Sequence, residues 1–133
     1  MHYINLAVSA LKAYVPAIDV VELMVRELEN NPILNSGRGS ALSAKGTVEM
    51  DASIMDGFRN KCGAVYGLST VKNLISLARL VMEKSPYVYL GFNGAEEFAR
   101  EQGVEIVDTN YFITAENKER LEQAKSANII QFD

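Results

Sequence analysis

The residues best suited to chemistry in this 133-residue chain lie between Leu28 and Gly39, in the run LENNPILNSGRG. Gly37, Gly39 and, further on, Gly46 let the backbone turn where other side chains would clash. Such a turn can aim several carbonyls inward, and carbonyl oxygens suit a hard cation. The same composition also makes an ordinary metal-free connection from a helix to a strand. Asn35 stands inside this loop, and its amide offers two donors and an acceptor. It can bridge the turn to another side chain, or close the turn on its own backbone. GRGS does not make a phosphate loop: no Lys-Ser/Thr pair follows Gly39 at the required place, and no strand precedes it. Glu49, Asp51 and Asp56 bring three carboxylates to the next segment. On a strand Glu49 and Asp51 share a side, which suggests an acid–base pair. No third group converges on them, and a charged solvated face accounts for them better.

Other reactive groups are few. Cys62 is the one cysteine, so an internal disulfide is excluded. His2 is the one histidine, so no multi-histidine metal site exists, and a triad on a second residue is a poor proposition. Thr47, Thr70, Thr109 and Thr114 are internal, and none has the free amine of an N-terminal nucleophile. A net charge of −4 without a basic cluster argues against nucleic acid. No apolar run approaches the roughly 20 residues that span a bilayer. The N-terminal MHYINLAVSALKAYVP lacks a basic n-region, and polar residues interrupt it, so it does not read as a signal peptide. A reducing, cytoplasmic setting follows from these features as an expectation.

The elements that must hold these residues follow from periodicity. Tyr3 to Tyr14 is helical in pattern, with Leu6, Ala7, Ala10 and Leu11 on one side, and Pro16 breaks it. Val21, Met24, Val25 and Leu28 mark a second amphipathic helix from Ile18, stopped at Asn30-Asn31-Pro32. Val48, Met50, Ala52 and Ile54 alternate with Thr47, Glu49, Asp51 and Ser53, which predicts a strand. Asp56-Gly57 opens a turn and Cys62 to Leu68 returns antiparallel. Asn73 is placed to cap a helix running to Lys84, apolar nearly all round and therefore buried. Tyr87 to Phe92 reads as a short strand, Gly94 to Gln102 as a helix stopped by Gly103, and Thr114 as the cap of a charged helix to Ala127. Ile129 to Phe132 trails off apolar. No repeat or linker divides the chain, which reads as one domain over 1–133. The hairpin and the buried helix want a sheet larger than three short strands, so an exposed apolar edge is expected.

Three segments together carry a resemblance: NPILNSGRGSALSAKGTVEMDASIMDG (Asn31 to Gly57), CGAVYGLSTVKN (Cys62 to Asn73) and SLARLVMEKSP (Ser76 to Pro86). They resemble the plant-type asparaginases, which are also isoaspartyl peptidases and threonine N-terminal-nucleophile hydrolases. The likeness runs from PAIDVVELMVRELE at Pro16 to the closing NIIQFD, and it is to the α subunit. It implies an α+β fold, the α-subunit part of a four-layer αββα sandwich whose two sheets are shared with a β subunit. It implies cleavage of L-asparagine to aspartate and ammonia, and of isoaspartyl peptides, within an (αβ)2 assembly. No organic cofactor is implied. A structural sodium is, held by main-chain oxygens of Leu28, Glu29, Asn31, Leu34, Ser36 and Arg38. Asn35 matches an asparagine that supports the nucleophile from beside it.

In that family the nucleophile is a threonine freed by autoproteolysis, and its matching segment is not among these residues. The chain also begins inside the first helix, without the His-Gly-Gly strand of its relatives. On this reading it is one part of the enzyme and inactive alone. The competing expectation is a non-catalytic truncated fragment acting at most as a binding partner; a third keeps the fold but takes the substrate of glycosylasparaginases. VMEKSPYV (Val81 to Val88) resembles a potassium-activation loop, but Tyr87 replaces its usual histidine, which argues against potassium activation. Tyr87 itself reads as strand packing. Leu74 replaces an expected proline, which loosens the helix start.

Overall fold

Alternating apolar residues on either side of a polar turn produce the hairpin at the centre of the computed structural model, which describes residues 2–129. Strand β1 (Met50–Asp56) pairs antiparallel with β2 (Lys61–Leu68), and β3 (Tyr89–Gly91) adds parallel to β2, giving the order β1-β2-β3. Asp56 fixes the turn: its carboxylate accepts the N–H groups of Phe58 and Arg59 and pairs with the Arg59 guanidinium at 2.5 Å. β1 begins at Met50, so Thr47 to Glu49, expected within the strand, precede it.

The register shifts between Met50 and Ala52, where β2 carries an extra residue opposite. Gly67 sits there at φ +68°, a backbone shape that favours glycine. The Asp51 carboxylate receives the Gly67 N–H at 2.9 Å. This bulge returns Leu68 to the same sheet face as Met50 and Val65, and all three are buried. Asp51 is thus a partner of the bulge, and Glu49 lies outside the strand; the two do not form a strand-face pair.

Helix α1 (His2–Lys12) packs on α2 (Ala17–Glu29), and α2 on α3 (Leu74–Lys84). α3 covers one face of the sheet, burying Leu74, Ile75, Leu77, Ala78, Val81 and Met82. Its close approach depends on Gly63, where a Cβ would stand 2.1 Å from the Ala78 carbonyl oxygen. Arg79 ties α3 back to α2, meeting Asp19 at 2.6 Å and Glu22 at 2.7 Å. α4 (Phe92–Gln102) follows β3 directly and ends at Gly103 in the left-handed region. A 3₁₀ turn (Thr109–Tyr111) leads to α5 (Ala115–Ala127), which Thr114 caps by accepting the Asn117 N–H. The fold is α+β. The expected run Ile129 to Phe132 falls, beyond Ile129, outside the described residues.

The opposite sheet face carries Ser53, Met55, Cys62, Ala64, Tyr66 and Tyr89. Met55 is 69%, Tyr89 59% and Tyr66 39% exposed. The Tyr66 ring lies 4.9 Å from Phe92 and 5.8 Å from Tyr89, centroid to centroid. The exposed hydrophobic side chains thus lie on a sheet face among the described residues, where an apolar edge was expected.

Candidate functional site

α2 ends at Glu29, and the chain then folds back over that end. Leu28 O accepts the Asn31 N–H at 3.1 Å, Asn31 O that of Leu34 at 3.2 Å, and Leu34 O that of Ser36 at 2.8 Å. Arg38 N–H closes the loop onto Glu29 O at 2.8 Å. Each of these carbonyls keeps a second lone pair. Two glycines make the close packing possible. At Gly37 (φ +54°) a Cβ would meet Glu29 O at 2.5 Å, and at Gly39 (φ +104°) it would meet Pro32 O at 2.4 Å and Leu34 O at 2.8 Å. The backbone oxygens of Glu29, Pro32 and Leu34 thus pack directly against the two glycines. No cluster of His, Cys, Asp or Glu side chains suited to a metal exists among the described residues.

Side chains brace the loop from three directions. Asn31 donates to the Tyr3 hydroxyl at 2.6 Å and accepts the Ile33 N–H. The Arg38 guanidinium lies over the Tyr111 ring, 5.4 Å from its centroid. Asn35 Oδ1 accepts the Ala41 N–H at 2.7 Å, which fixes the amide plane. Asn35 lines an open polar cavity of about 350 Å³ together with Ser36, Ser40, Glu49 and Asp51. Glu49 and Asp51 thus line the same cavity as Asn35.

Glu29 contributes more than its backbone. Its side chain is buried, and its carboxylate accepts the Ile75 N–H at 3.0 Å and the Asn73 amide N–H at 3.1 Å. The start of α3 is therefore capped by a carboxylate from α2. Asn73, expected to cap, makes no side-chain cap bond and instead reaches Glu29 and Asn30. Burial pushes the Glu29 carboxyl up to about 6, against the opposing pull of the Ile75 and Asn73 hydrogen bonds and the Arg26 charge. Leu74, at the position of the expected proline, is buried in the core.

Asn117 was not singled out by its sequence, being one polar residue in a charged helix. It is buried, and its amide donates to the carbonyls of Gly39 and Ser40, the latter at 2.9 Å. Tyr87 lies two residues ahead of β3 and is exposed, so it is not packed in the strand as expected. The four threonines are internal; Thr70 donates to Glu96, Thr47 pairs with Ser43 and Thr114 caps α5.

The family model described as Asparaginase matches residues 1–132. A probable isoaspartyl peptidase/L-asparaginase 2 of Arabidopsis thaliana is 65% identical over 98% of this chain and 40% of its own length. The isoaspartyl peptidase/L-asparaginase of Mus musculus is 47% identical over 86% of the chain and 35% of its own. The isoaspartyl peptidase of Salmonella typhimurium is 43% identical over 92% of the chain and 39% of its own. The chain therefore spans about two-fifths of the length of such relatives or less. With the resemblance of its loop and hairpin borne out across nearly every residue, this chain belongs to the asparaginase family.

Proposed function

We propose that this chain is the α-subunit portion of an amidohydrolase that cleaves L-asparagine to aspartate and ammonia and removes isoaspartyl residues from peptides. The observation that carries the reading is the 65% identity over nearly the whole chain to a relative named for both activities. The bare sheet face supports a second, companion sheet that completes an αββα sandwich in an (αβ)2 assembly. The nucleophile is a threonine of the companion β portion. Its free α-amine acts as base for its own hydroxyl, which attacks the side-chain amide, and donors in the site hold the oxyanion until water releases aspartate.

Within that scheme this chain binds and positions. Asn35, held by the Ala41 N–H, supports the nucleophile through its amide. Main-chain oxygens of Leu28, Glu29, Asn31, Leu34, Ser36 and Arg38 would hold a structural sodium, which supplies rigidity to the loop and takes no part in bond making. With Tyr87 at the position of the activating-loop histidine, the enzyme works without potassium activation. A single cysteine, Cys62, suits a reducing, cytoplasmic setting.

The test is reconstitution. The chain is combined with the remaining, downstream portion of the Arabidopsis relative, and turnover of asparagine and of an isoaspartyl dipeptide is measured. Turnover by the pair and none by the chain alone is expected. Turnover by residues 1–133 alone, or none from the pair, overturns the assignment. The sodium site is tested separately, by heating the protein in sodium chloride and in choline chloride. A higher unfolding temperature in sodium is expected, and equal temperatures would remove the ion from the scheme.

A further inference from the structure

We infer that Asn117, on α5, is a positioning residue for Asn35, acting through the two carbonyls that precede Ala41; this rests on the reading of Asn35 given above. Asn35 and Asn117 are far apart in sequence, and they meet through a short relay. The Asn117 amide donates to Gly39 O and Ser40 O. Those two peptide units lead directly into Ala41, whose N–H is the group that holds Asn35 Oδ1 at 2.7 Å. The same turn is gripped once more from the α5 side, because Gly39 N–H donates to Phe112 O at 3.0 Å. Asn117 is itself set by Thr114, whose hydroxyl accepts its backbone N–H at 3.1 Å.

The chemistry of the position calls for an amide. Both partners are carbonyl oxygens, so the side chain must supply two N–H donors in one plane, which Asn does at this length. Asn117 is 7% exposed, so water cannot readily replace a lost donor. A carboxylate there would point negative oxygens at two carbonyls and drive the turn away. The turn is otherwise built around glycine at position 39, whose left-handed backbone no other residue adopts without strain. The Asn117 amide on α5 and the Phe112 carbonyl just ahead of that helix both hold it in place. A misplaced Ala41 N–H rotates the Asn35 amide, and displacements of this order at a reacting centre lower turnover steeply.

The experiment uses the reconstituted pair and compares Asn117→Asp with the parent by kcat, KM and amide hydrogen exchange over residues 36–41. Asn117→Asp is expected to lower kcat on the order of tenfold or more while KM moves about threefold or less. Exchange at Ala41 should accelerate while the amides of β1 and β2 keep their protection. Placed on Asn35→Ala, the second substitution should add little, since both act on one group. Should Asn117→Asp fail to fold, Asn117→Ser, which keeps one donor, takes its place with a smaller expected loss. Parent kcat in a folded variant, additive losses in the double variant, or unchanged Ala41 exchange would each overturn the relay. If the parent pair shows no turnover, the functional reading fails alone, and the exchange measurement still decides whether Asn117 sets the Ala41 amide.

Discussion

The two faces of the small sheet differ sharply in composition and in what they touch. Toward α3 the sheet presents Met50, Ile54, Val65 and Leu68, all buried, and Gly63 brings the helix backbone close enough that no side chain fits between. Away from α3 it presents Met55, Tyr66 and Tyr89, apolar and exposed, interleaved with Ser53 and Ala64. Ordinary solvent-facing sheet surfaces alternate polar residues with the buried set. Here the outward set mixes Asp51 and Ser53 with the exposed Met55, Tyr66 and Tyr89, so it carries large hydrophobic side chains beside polar ones. Among the described residues, then, one sheet face is covered by α3 and the other is bare.

The largest effect should come from the covered face. Gly63→Ala sets a Cβ 2.1 Å from Ala78 O and 2.5 Å from Met82 N, both backbone atoms of α3 that cannot yield singly. The helix must shift as a body, and a loss of about 3 kcal/mol or more is expected. Denaturant unfolding measures it. A loss below about 1 kcal/mol would mean that the covered face is less tightly set than its distances imply.

That covered face also explains how far the sequence could be read. The hairpin, the buried helix and the Thr114 cap follow from periodicity and local chemistry, which adjacent residues decide. The family was legible from contiguous strings such as NSGRGS and DASIMDG. The cap of α3 was not, because the Glu29 carboxylate arrives from 46 residues away and displaces Asn73, the local candidate. Asn117 was harder to see: it shares the buried stripe of α5 with Leu121 and Ala124 at i, i+4 and i+7, but in a helix of charged residues two apolar positions mark that stripe only faintly. The start of β1 was misplaced because the alternation of Thr47 to Glu49 continues past the point where β2 can pair.

A middle-sized effect is expected where α2 fixes the helix that covers the sheet. Glu29→Ala strips acceptors from the Ile75 N–H and the Asn73 amide in a buried place. The expected cost is about 2 kcal/mol, the scale of a buried donor left unpaired together with a lost cap. Glu29→Gln keeps an acceptor for Ile75 but turns an NH2 toward the Asn73 amide, so it should cost less than Glu29→Ala. Thermal unfolding of the two variants ranks them. A Glu29→Gln variant as stable as the parent, with the loss confined to Glu29→Ala, would show that volume, and not acceptor chemistry, matters at this position, and the covered face would then be held by packing alone.

The smallest effect on the chain, and the most telling for the comparison, is expected from Met55→Glu on the bare face. Met55 is 69% exposed beside Cys62, which is exposed as well, so a carboxylate there remains in water. Unfolding free energy should change by about 0.5 kcal/mol or less, as for surface substitutions in general. Against the companion portion the outcome should reverse. A sheet packed on this face would bury the new carboxylate without a cation, since the outward neighbours Ser53, Ala64 and Tyr66 carry none. Burial of an unpaired charge costs several kcal/mol or forces the interface apart. Association of the two portions, followed by sedimentation, should therefore weaken far more than the chain's own stability. A variant that loses stability alone yet pairs normally would show that the face is covered from within the chain, and the contrast between the two faces would collapse.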